Sequence, residues 1–294
     1  MTEPKIYTVG DARVACLADC ALDSLTPERL LPDWRDNDKK LMEQIKETVT
    51  HDGSHVRLSV HSWVVWHLGK ILIVDTGAGN GKERPHAPYF DHLKTPYLSR
   101  LRAIGVEPDC VDYVLHTHLH VDHVGWNTTL VSGRWEPTFP NARHVFSRKE
   151  YTYFTDPANL TERHRTSFQV QADSVTPIVE AGLADMIEMT GDEVIPGISF
   201  HPTPGHTMDH ASIVLESGGT KALFAGDVLH HPIQVFKPEL MSVFDFYSDQ
   251  ALRSRLWALD YAADQHAIWF SSHFPAPSAG RVSRVAEGYG WRFD

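Results

Sequence analysis

Short apolar runs separated by turn residues recur along the chain, and they predict a protein rich in β-strands. In the first half, residues 5–18 and 56–75 each contain two such runs around a turn, which predicts two hairpins. Residues 71–74, Ile-Leu-Ile-Val, form a continuous apolar run that is typical of a strand buried on both faces. A further strand is predicted over residues 111–115.

The second half repeats this style, because its apolar runs are again short and are bounded by glycine or polar residues. The strands predicted there are residues 197–201, 211–217, 220–225 and 267–271. We expect the last of these to be the final strand of the chain.

Apolar positions at helical spacing lie between the predicted strands. A helix is predicted over residues 95–104, with Thr95 as its cap, and another over residues 249–263. The residues expected on the buried side of the second helix are Leu252, Leu256 and Leu259. Strands followed by a helix in each half predict an α/β chain with two β-sheets packed together and helices outside.

The length of 294 residues fits one large domain or two small ones, and no linker or repeat divides the chain. We therefore predict a single domain over residues 1–294. Residues 23–50 are charged, with apolar positions at helical spacing, and this segment could act as a lid or as a dimer contact. The apolar positions concerned are Leu41, Met42, Ile45 and Val49.

Composition narrows the classes of partner and location. Lys and Arg number 27 and Asp and Glu number 38, so the net charge is −11 without a basic stripe, which argues against nucleic acid as a partner. No apolar run reaches the roughly 18 residues of a membrane span, and no secretory signal is visible. Three cysteines without a disulfide framework favour reduced thiols, so we expect a cytoplasmic protein without a membrane partner.

The segment His116 to His123, His-Thr-His-Leu-His-Val-Asp-His, follows a predicted strand directly. His118 and His120 are two residues apart, so an extended backbone points both side chains the same way. Imidazoles and a carboxylate in one short loop suit zinc, and also iron, manganese or cobalt. The alternative is a solvated histidine-rich loop, but apolar residues interleave with the polar ones, which disfavours it.

One loop cannot enclose a metal by itself, so further donors are needed from elsewhere in the chain. His206 follows an apolar strand in a sharp Pro-Gly-His turn, and Asp227 follows the strand end Phe-Ala-Gly. His273 follows Ser-Ser at the end of another predicted strand. Each residue alone is a weak signal, but all of them at strand ends in one chain form a specific pattern.

The pattern of these residues resembles that of the metallo-β-lactamase fold superfamily. The matching features are the H-x-H-x-D-H motif at 118–123 and the later single donors. The Asp75-Thr76-Gly77 turn matches as well, and the resemblance covers about residues 55–280. It implies an αββα sandwich of two mixed sheets with helices on both outer faces. It also implies that the ligands of a first metal are His118, His120 and His206. By the same resemblance, the second metal is held by Asp122, His123 and His273, with Asp227 bridging both.

Within the superfamily, the motifs look most like the group that contains N-acyl homoserine lactonases and methyl parathion hydrolase. The best-known lactonases carry a tyrosine three residues after the bridging aspartate, where this chain has His230. His230 could donate a hydrogen bond to a substrate oxygen, or it could merely cap the strand end. The catalytic candidates are Asp122, Asp227 and His230.

The resemblance implies a dinuclear metal-dependent hydrolase that cleaves a lactone or carboxylic ester by attack of a metal-bridging hydroxide. We expect two divalent ions, with zinc as the first choice, and a small, hydrophobic, neutral substrate. The candidates for an apolar wall are Trp34, Phe90, Trp126, Phe139, Phe236, Tyr247 and Phe274. Two alternatives are a phosphotriesterase of the methyl parathion hydrolase type and a mononuclear iron oxidoreductase of the same fold. A homodimer is a further expectation.

Overall fold

The computed structural model describes residues 5–35, 41 and 43–294, and these residues form two compact units. The first unit contains residues 5–8, 12–20 and 60–188, and the second contains the described residues of 9–11, 21–59 and 189–294. Within the described residues, the strands form two seven-stranded sheets and one two-stranded sheet.

The first large sheet is mixed. The strands of the first half of the chain are Ile6–Val9 (β1), Ala12–Leu25 (β2), Val56–His67 (β3), Lys70–Val74 (β4), Tyr113–Leu115 (β5), Thr128–Val131 (β6), Arg134–Pro137 (β7), Arg143–Ser147 (β8) and Ala184–Ile187 (β9). The sheet order is β1-β2-β3-β4-β5-β8-β9, and β6 pairs with β7 separately. Strands β4, β5, β8 and β9 run parallel, so their carboxyl ends lie at the same sheet edge.

The second large sheet follows the chain order. Its strands are Glu193–Ile195 (β10), Ile198–Pro202 (β11), Ala211–Ser217 (β12), Thr220–Phe224 (β13), Ile268–Phe270 (β14), Ala279–Val285 (β15) and Gly288–Phe293 (β16). Strands β13 and β14 are parallel, whereas β11 and β13 are both antiparallel to β12. Strands β11, β13 and β14 therefore run in one direction and end at the same sheet edge.

Helices are mostly short. The α-helices are Pro27–Leu30 (α1), Tyr97–Ala103 (α2), Arg148–Thr155 (α3), Arg165–Val170 (α4), Thr176–Glu180 (α5), Ile233–Phe236 (α6) and Ser248–Asp264 (α7). The 3-10 turns are Glu43–Thr48, Pro88–Phe90, Pro108–Cys110, Gly125–Asn127, Pro157–Asn159, Glu162–His164 and Gly226–Val228, and Gln171–Val175 is a π-helical segment between α4 and α5. No helix within the described residues is long and apolar enough to cross a membrane.

Each unit has its own apolar core. In the first unit, Leu101 of α2 lies in a buried cluster with Ile73 and Val114 of the sheet. In the second unit, Leu259 of α7 lies in a buried cluster with Trp269 of β14. Burying apolar side chains of this size stabilises a fold by roughly 1.5–3 kcal/mol each, so these contacts fix the helices on their sheets.

The predicted hairpins are confirmed. Strands β1 and β2 are neighbours, and β3 pairs with β4 in antiparallel register from Trp63 opposite Val74 to His67 opposite Lys70. The connecting residues Leu68 and Gly69 have φ angles of 49° and 73°, the left-handed conformation that a two-residue hairpin turn requires.

Three sequence expectations were wrong in detail. Thr95 does not cap α2, because its hydroxyl donates to Asp19 Oδ1 and Pro96 occupies the cap position. Leu256 is 37% exposed, since the buried face of α7 is formed largely by alanines together with Leu259 and Arg255. Strands β15 and β16 follow the strand that we expected to be last, because glycine and arginine interrupt their apolar residues and leave no continuous apolar run.

The segment 23–50 is only partly described, because residues 36–40 and Met42 lie outside the described residues. In the described part, Ile45 and Thr48 are buried in the second unit. The Thr48 carbonyl accepts a hydrogen bond from His231 Nε2 at 3.1 Å. A lid or dimer role for this segment, like the single domain over residues 1–294, stays a prediction.

Candidate metal centre

The histidine loop of the first unit lies at the carboxyl edge of its parallel strands. The loop starts at His116, directly after β5, and Asp75 directly follows the neighbouring strand β4. The Asp75 N–H donates to the Leu115 carbonyl at 2.9 Å, and the Thr76 N–H donates to the His123 carbonyl at 2.7 Å. Two parallel strands therefore fix both ends of this loop against the Asp75 turn.

Asp75 is a buried carboxylate that orients two of the predicted ligands. His123 Nδ1 donates to Asp75 Oδ2 at 2.8 Å. Thr117 donates its hydroxyl proton to the same oxygen at 2.8 Å, so its Oγ1 can only accept from His118 Nδ1, at 3.1 Å. In a neutral imidazole one nitrogen donates and the other accepts. Both rings therefore present Nε2 as the ligand atom.

The four predicted donors of this loop are close together. The ring centroid of His118 is 4.6 Å from that of His120 and 4.1 Å from that of His123. His123 Nε2 is 3.8 Å from Asp122 Oδ1. Gln171, buried in the π-helical segment, donates from Nε2 to the Leu119 carbonyl at 3.0 Å and so holds the middle of the loop. Sequence reasoning missed this contact, because no motif marks Gln171.

In the second unit, three histidines surround one carboxylate oxygen. His206, Asp227 and His273 follow strands β11, β13 and β14, which end at the same edge. The Oδ2 atom of Asp227 is 3.3 Å from His206 Nε2, 3.3 Å from His230 Nε2 and 3.1 Å from His273 Nε2. All four side chains are buried.

His210 supports this cluster without facing it. Its Nε2 accepts a hydrogen bond from the Asp227 backbone N–H at 2.8 Å. Its Nδ1 lies 3.2 Å from the Thr203 carbonyl and 2.9 Å from the Thr203 hydroxyl. Both ring nitrogens are thus used, so His210 satisfies backbone groups rather than offering a nitrogen to a metal.

The chemistry of this donor set fits a cation. His273 Nδ1 is 3.1 Å from the Ser59 carbonyl, which can only accept, so a neutral ring directs the Nε2 lone pair at the Asp227 carboxylate. Two acceptors in such contact repel each other unless a positive charge lies between them. Two ligand atoms of a tetrahedral zinc with bonds of about 2.0–2.1 Å are about 3.3 Å apart. The distances around Asp227 Oδ2 match that value, so these residues fit a divalent metal ion.

His230 lies inside the same cluster. Its side chain is buried, with 2% of the residue exposed, and its ring is parallel to that of His273 with centroids 5.4 Å apart. The Gln234 side chain accepts from the His230 backbone N–H at 2.8 Å and so fixes the loop. Burial lowers the pKa of His230, although the neighbouring Asp227 carboxylate acts in the opposite direction. Donor atoms of Asp227, His230 and His273 all lie within 4.8 Å of one another.

Sequence reasoning missed Asp245, a buried carboxylate on the other side of His206. Its Oδ1 lies 3.5 Å from His206 Nδ1. Burial alone would raise the pKa of Asp245, but the contact with His206 and the nearby charge of Arg255 outweigh burial and lower the pKa to about 2. Asp245 is therefore an ionised acceptor. It lies in a loop without a recognisable motif.

Most candidates for an apolar wall are buried. Trp126, Phe139 and Phe274 lie in the apolar cores of the units. Trp34 and Phe90 are buried as well. Tyr247 is 40% exposed. Phe244 was not predicted, yet it is 42% exposed and its ring centroid lies 5.5 Å from that of His230.

Comparison with known proteins shows the family. The sequence profile of the metallo-beta-lactamase superfamily matches residues 55–273. The chain belongs to this superfamily. N-acyl homoserine lactonase AttM of Rhizobium radiobacter is 24% identical over 76% of this chain and 85% of its own length. N-acyl homoserine lactonase AiiA of Bacillus thuringiensis subsp. kurstaki is 29% identical over 48% of this chain and about half of its own length.

Solved structures agree with the fold. The hydrolase AbOPH of the beta lactamase superfamily is 26% identical, with a TM-score of 0.83 over 99% of this chain and 97% of that chain. AidC, a dizinc quorum-quenching lactonase, is 19% identical with a TM-score of 0.80 over 99% of this chain and 97% of that chain, which shows likeness of fold. These findings confirm the predicted family and fold and the prediction of a metal-dependent hydrolase.

Proposed function

We propose that this protein is a dinuclear metal-dependent hydrolase that cleaves a lactone or a carboxylic ester. The observation that carries the proposal is the contact of three buried imidazole nitrogens, those of His206, His230 and His273, with Asp227 Oδ2. The names of the relatives support a lactone, because AttM and AiiA are both N-acyl homoserine lactonases.

The family resemblance supports one assignment of ligands. We assign to a first metal His118, His120 and His206. The second metal is assigned to Asp122, His123 and His273, with Asp227 serving both. Imidazole and carboxylate donors favour zinc, and also suit iron, manganese or cobalt. Two such ions, when bound, lower the pKa of a water and polarise a carbonyl oxygen.

The side chains then orient the substrate and move protons. Asp227 can accept a proton at Oδ2 and pass it to the leaving oxygen, and Asp122 is the second carboxylate proposed to take part. Burial lowers the pKa of His230, so its neutral ring can donate one N–H to the developing charge on a substrate oxygen. Buried donors that are already oriented stabilise this charge more than water does.

An exposed apolar segment that includes Phe244, a neighbour of His230, supports a small hydrophobic neutral substrate. Val243, Phe244 and Tyr247 lie in one short segment, and each exposes a large part of its side chain. Ligand sites combine such apolar walls with a few polar groups that fix orientation. Phe244, beside the His230 ring, is the residue best placed to hold an acyl chain or an aryl group.

A substrate screen tests this proposal. Zinc- or cobalt-loaded protein would be assayed on N-acyl homoserine lactones of increasing chain length, aryl carboxylic esters and a phosphotriester, with chelator-treated protein as control. We expect lactone or ester hydrolysis that is lost on chelation and restored by metal. Turnover of the phosphotriester alone would instead support the methyl parathion hydrolase type. Absence of all three activities, with oxygen consumption on a thiol substrate, would overturn the proposal in favour of an iron oxidoreductase.

His230→Ala tests the proposed substrate contact. Losing one hydrogen bond to developing charge costs on the order of 2–4 kcal/mol, so kcat/KM should fall by roughly 30- to 1,000-fold while metal content stays unchanged. The measurement pairs steady-state kinetics with elemental analysis. Full activity of the variant would show that His230 is not a substrate donor. A loss of metal would assign His230 to the ligands.

We also propose a cytoplasmic location and a homodimer. The location is supported by the cysteines, because Cys16, Cys20 and Cys110 form no disulfide with one another in the described residues. Fractionation of the producing cells would test the location. The molar mass of the purified protein in solution would test the homodimer.

A further inference from the structure

A buried ion pair in the second unit lies outside the proposed set of ligands. Arg255, in the middle of α7, and Asp245, in the loop before α7, have side chains that are 0% and 1% exposed. A charge buried this deeply is costly unless it is paired and hydrogen-bonded. The partners of both side chains therefore show what the pair does.

The guanidinium group of Arg255 is fixed by the backbone. Its Nε donates to the Val228 carbonyl at 2.8 Å, and its Nη1 donates to the carbonyls of Pro238 and Leu240 at 2.7 Å and 2.9 Å. Its Nη2 donates to Asp245 Oδ2 at 3.1 Å. Four acceptors hold this planar group, so it offers Asp245 a rigid support.

The carboxylate of Asp245 is oriented in turn. Its Oδ2 accepts from Arg255 and also from the Ser242 backbone N–H at 3.0 Å. With Oδ2 fixed in this way, Oδ1 is directed at His206 Nδ1, 3.5 Å away. The opposite nitrogen of the same ring, His206 Nε2, lies 3.3 Å from Asp227 Oδ2.

These contacts favour one tautomer of His206. A carboxylate paired with Arg255 can only accept on the side of His206, so a neutral His206 ring would carry its proton on Nδ1 and its lone pair on Nε2. Nε2 is the atom that faces Asp227. The ring is thereby prepared to bind a metal through Nε2, in the way that buried carboxylates often orient histidine ligands.

We propose that Asp245, supported by Arg255, is a positioning residue that fixes the tautomer and orientation of His206 for metal binding. The inference rests on the proposed function, in which His206 is a metal ligand. Asp245 would serve His206 in the second unit as Asp75 serves His123 in the first. The competing explanation is that the pair only anchors the loop before α7 to that helix.

Asp245→Asn separates the two explanations. Arg255 and Ser242 both donate to the oxygen at the Oδ2 position, so the Asn carbonyl should take that position and its NH₂ group should face His206 Nδ1. A donor there favours the wrong tautomer, with the proton on Nε2. A pair that only anchors the loop would lose charge but would not change the protonated nitrogen of His206.

The readout is metal affinity, measured for zinc and cobalt by competition with a chromophoric chelator. We expect Asp245→Asn to weaken one of the two metals by roughly 10- to 100-fold and to change the cobalt absorption spectrum. Asp264→Asn is the matched control, because it removes a carboxylate paired with Arg284 at the end of the same helix. The control should bind both metals as the wild type does. Asp245→Glu, which keeps an acceptor, should recover part of the affinity.

Two results would overturn the inference. One is wild-type affinity for both metals in a folded Asp245→Asn protein. The other comes from the unaltered chain, so it does not depend on the variants folding. ¹⁵N NMR of histidine-labelled, zinc-loaded protein should show that His206 is protonated at Nδ1. Protonation at Nε2 would exclude the proposed role. A wild-type chain that binds no metal would instead contradict the proposed function itself.

Discussion

The two units use the same device for orienting histidines, but they assemble it differently. In the first unit, one loop supplies four donors, and the single carboxylate of Asp75 orients His123 directly and His118 through Thr117. In the second unit, each proposed ligand comes from a different strand end and has its own support. His206 faces Asp245, and His273 contacts the Ser59 carbonyl.

This difference has a consequence for substitutions. Removing one support in the first unit should disturb two ligands, whereas removing one in the second should disturb a single ligand. Asp227 is the exception in the second unit, because three imidazoles face the same oxygen of its side chain. The largest effect is therefore expected from Asp227.

Asp227→Ala should remove the carboxylate that is proposed to serve both metals. We expect weaker binding of both ions and a fall in kcat/KM on the order of 1,000-fold or more, since metals supply several kcal/mol of transition-state stabilisation. Elemental analysis and kinetics on the same preparation would measure this, with circular dichroism to check the fold. Loss of only one metal with the other bound normally would show that Asp227 is not shared.

Asp75→Asn sharpens the comparison between the units. Because Asp75 orients both His118 and His123, we expect the affinity for both metals to fall, by about 10- to 100-fold each. Asp245→Asn should weaken only the metal bound by His206. Chelator competition on the two variants side by side would measure these affinities. If each variant lost affinity for one metal only, and by the same factor, the difference between the units would be contradicted.

The part of the site that is contiguous in sequence could be predicted, because residue spacing within one loop determines which side chains lie together. The histidine loop lies within eight residues, and the ends of apolar strands place His206, Asp227 and His273. Strand direction accounts for their grouping within the second unit, since β11, β13 and β14 end at one edge.

The supporting residues could not be predicted, because their partners are distant in sequence. Asp245 and Gln171 have no motif, and only tertiary structure brings them to His206 and to the Leu119 carbonyl. Core and pocket aromatics could not be told apart for a different reason. An aromatic residue such as Phe139 or Phe274 has the same appearance in a sequence whether it fills a core or lines a pocket, and here both are fully buried.

The smallest expected effect concerns buried histidines beside the site rather than in it. Burial lowers the pKa of His231 to about 4, and it lowers the pKa of His144 well below the usual value. Below pH 6.5 the unfolded chain takes up these protons and the folded chain does not, so stability falls as the pH falls. For His231 the loss between pH 7 and pH 5 is about 2 kcal/mol.

Denaturant unfolding at the two pH values checks this expectation. His231→Gln should lose about 2 kcal/mol less than the wild type between pH 7 and pH 5. The surface variant His51→Gln is the matched control and should change with pH as the wild type does. An unchanged pH dependence in His231→Gln would show that His231 takes up its proton equally well in the folded chain.

The number of metal ions per chain tests the central claim most directly. The protein would be loaded with zinc or cobalt and then freed of excess metal by gel filtration. Elemental analysis would give the metal concentration, and amino-acid analysis would give the protein concentration. The proposed dinuclear centre predicts close to two equivalents per chain. A reproducible value near one, in protein that is active and fully loaded, would contradict the dinuclear centre.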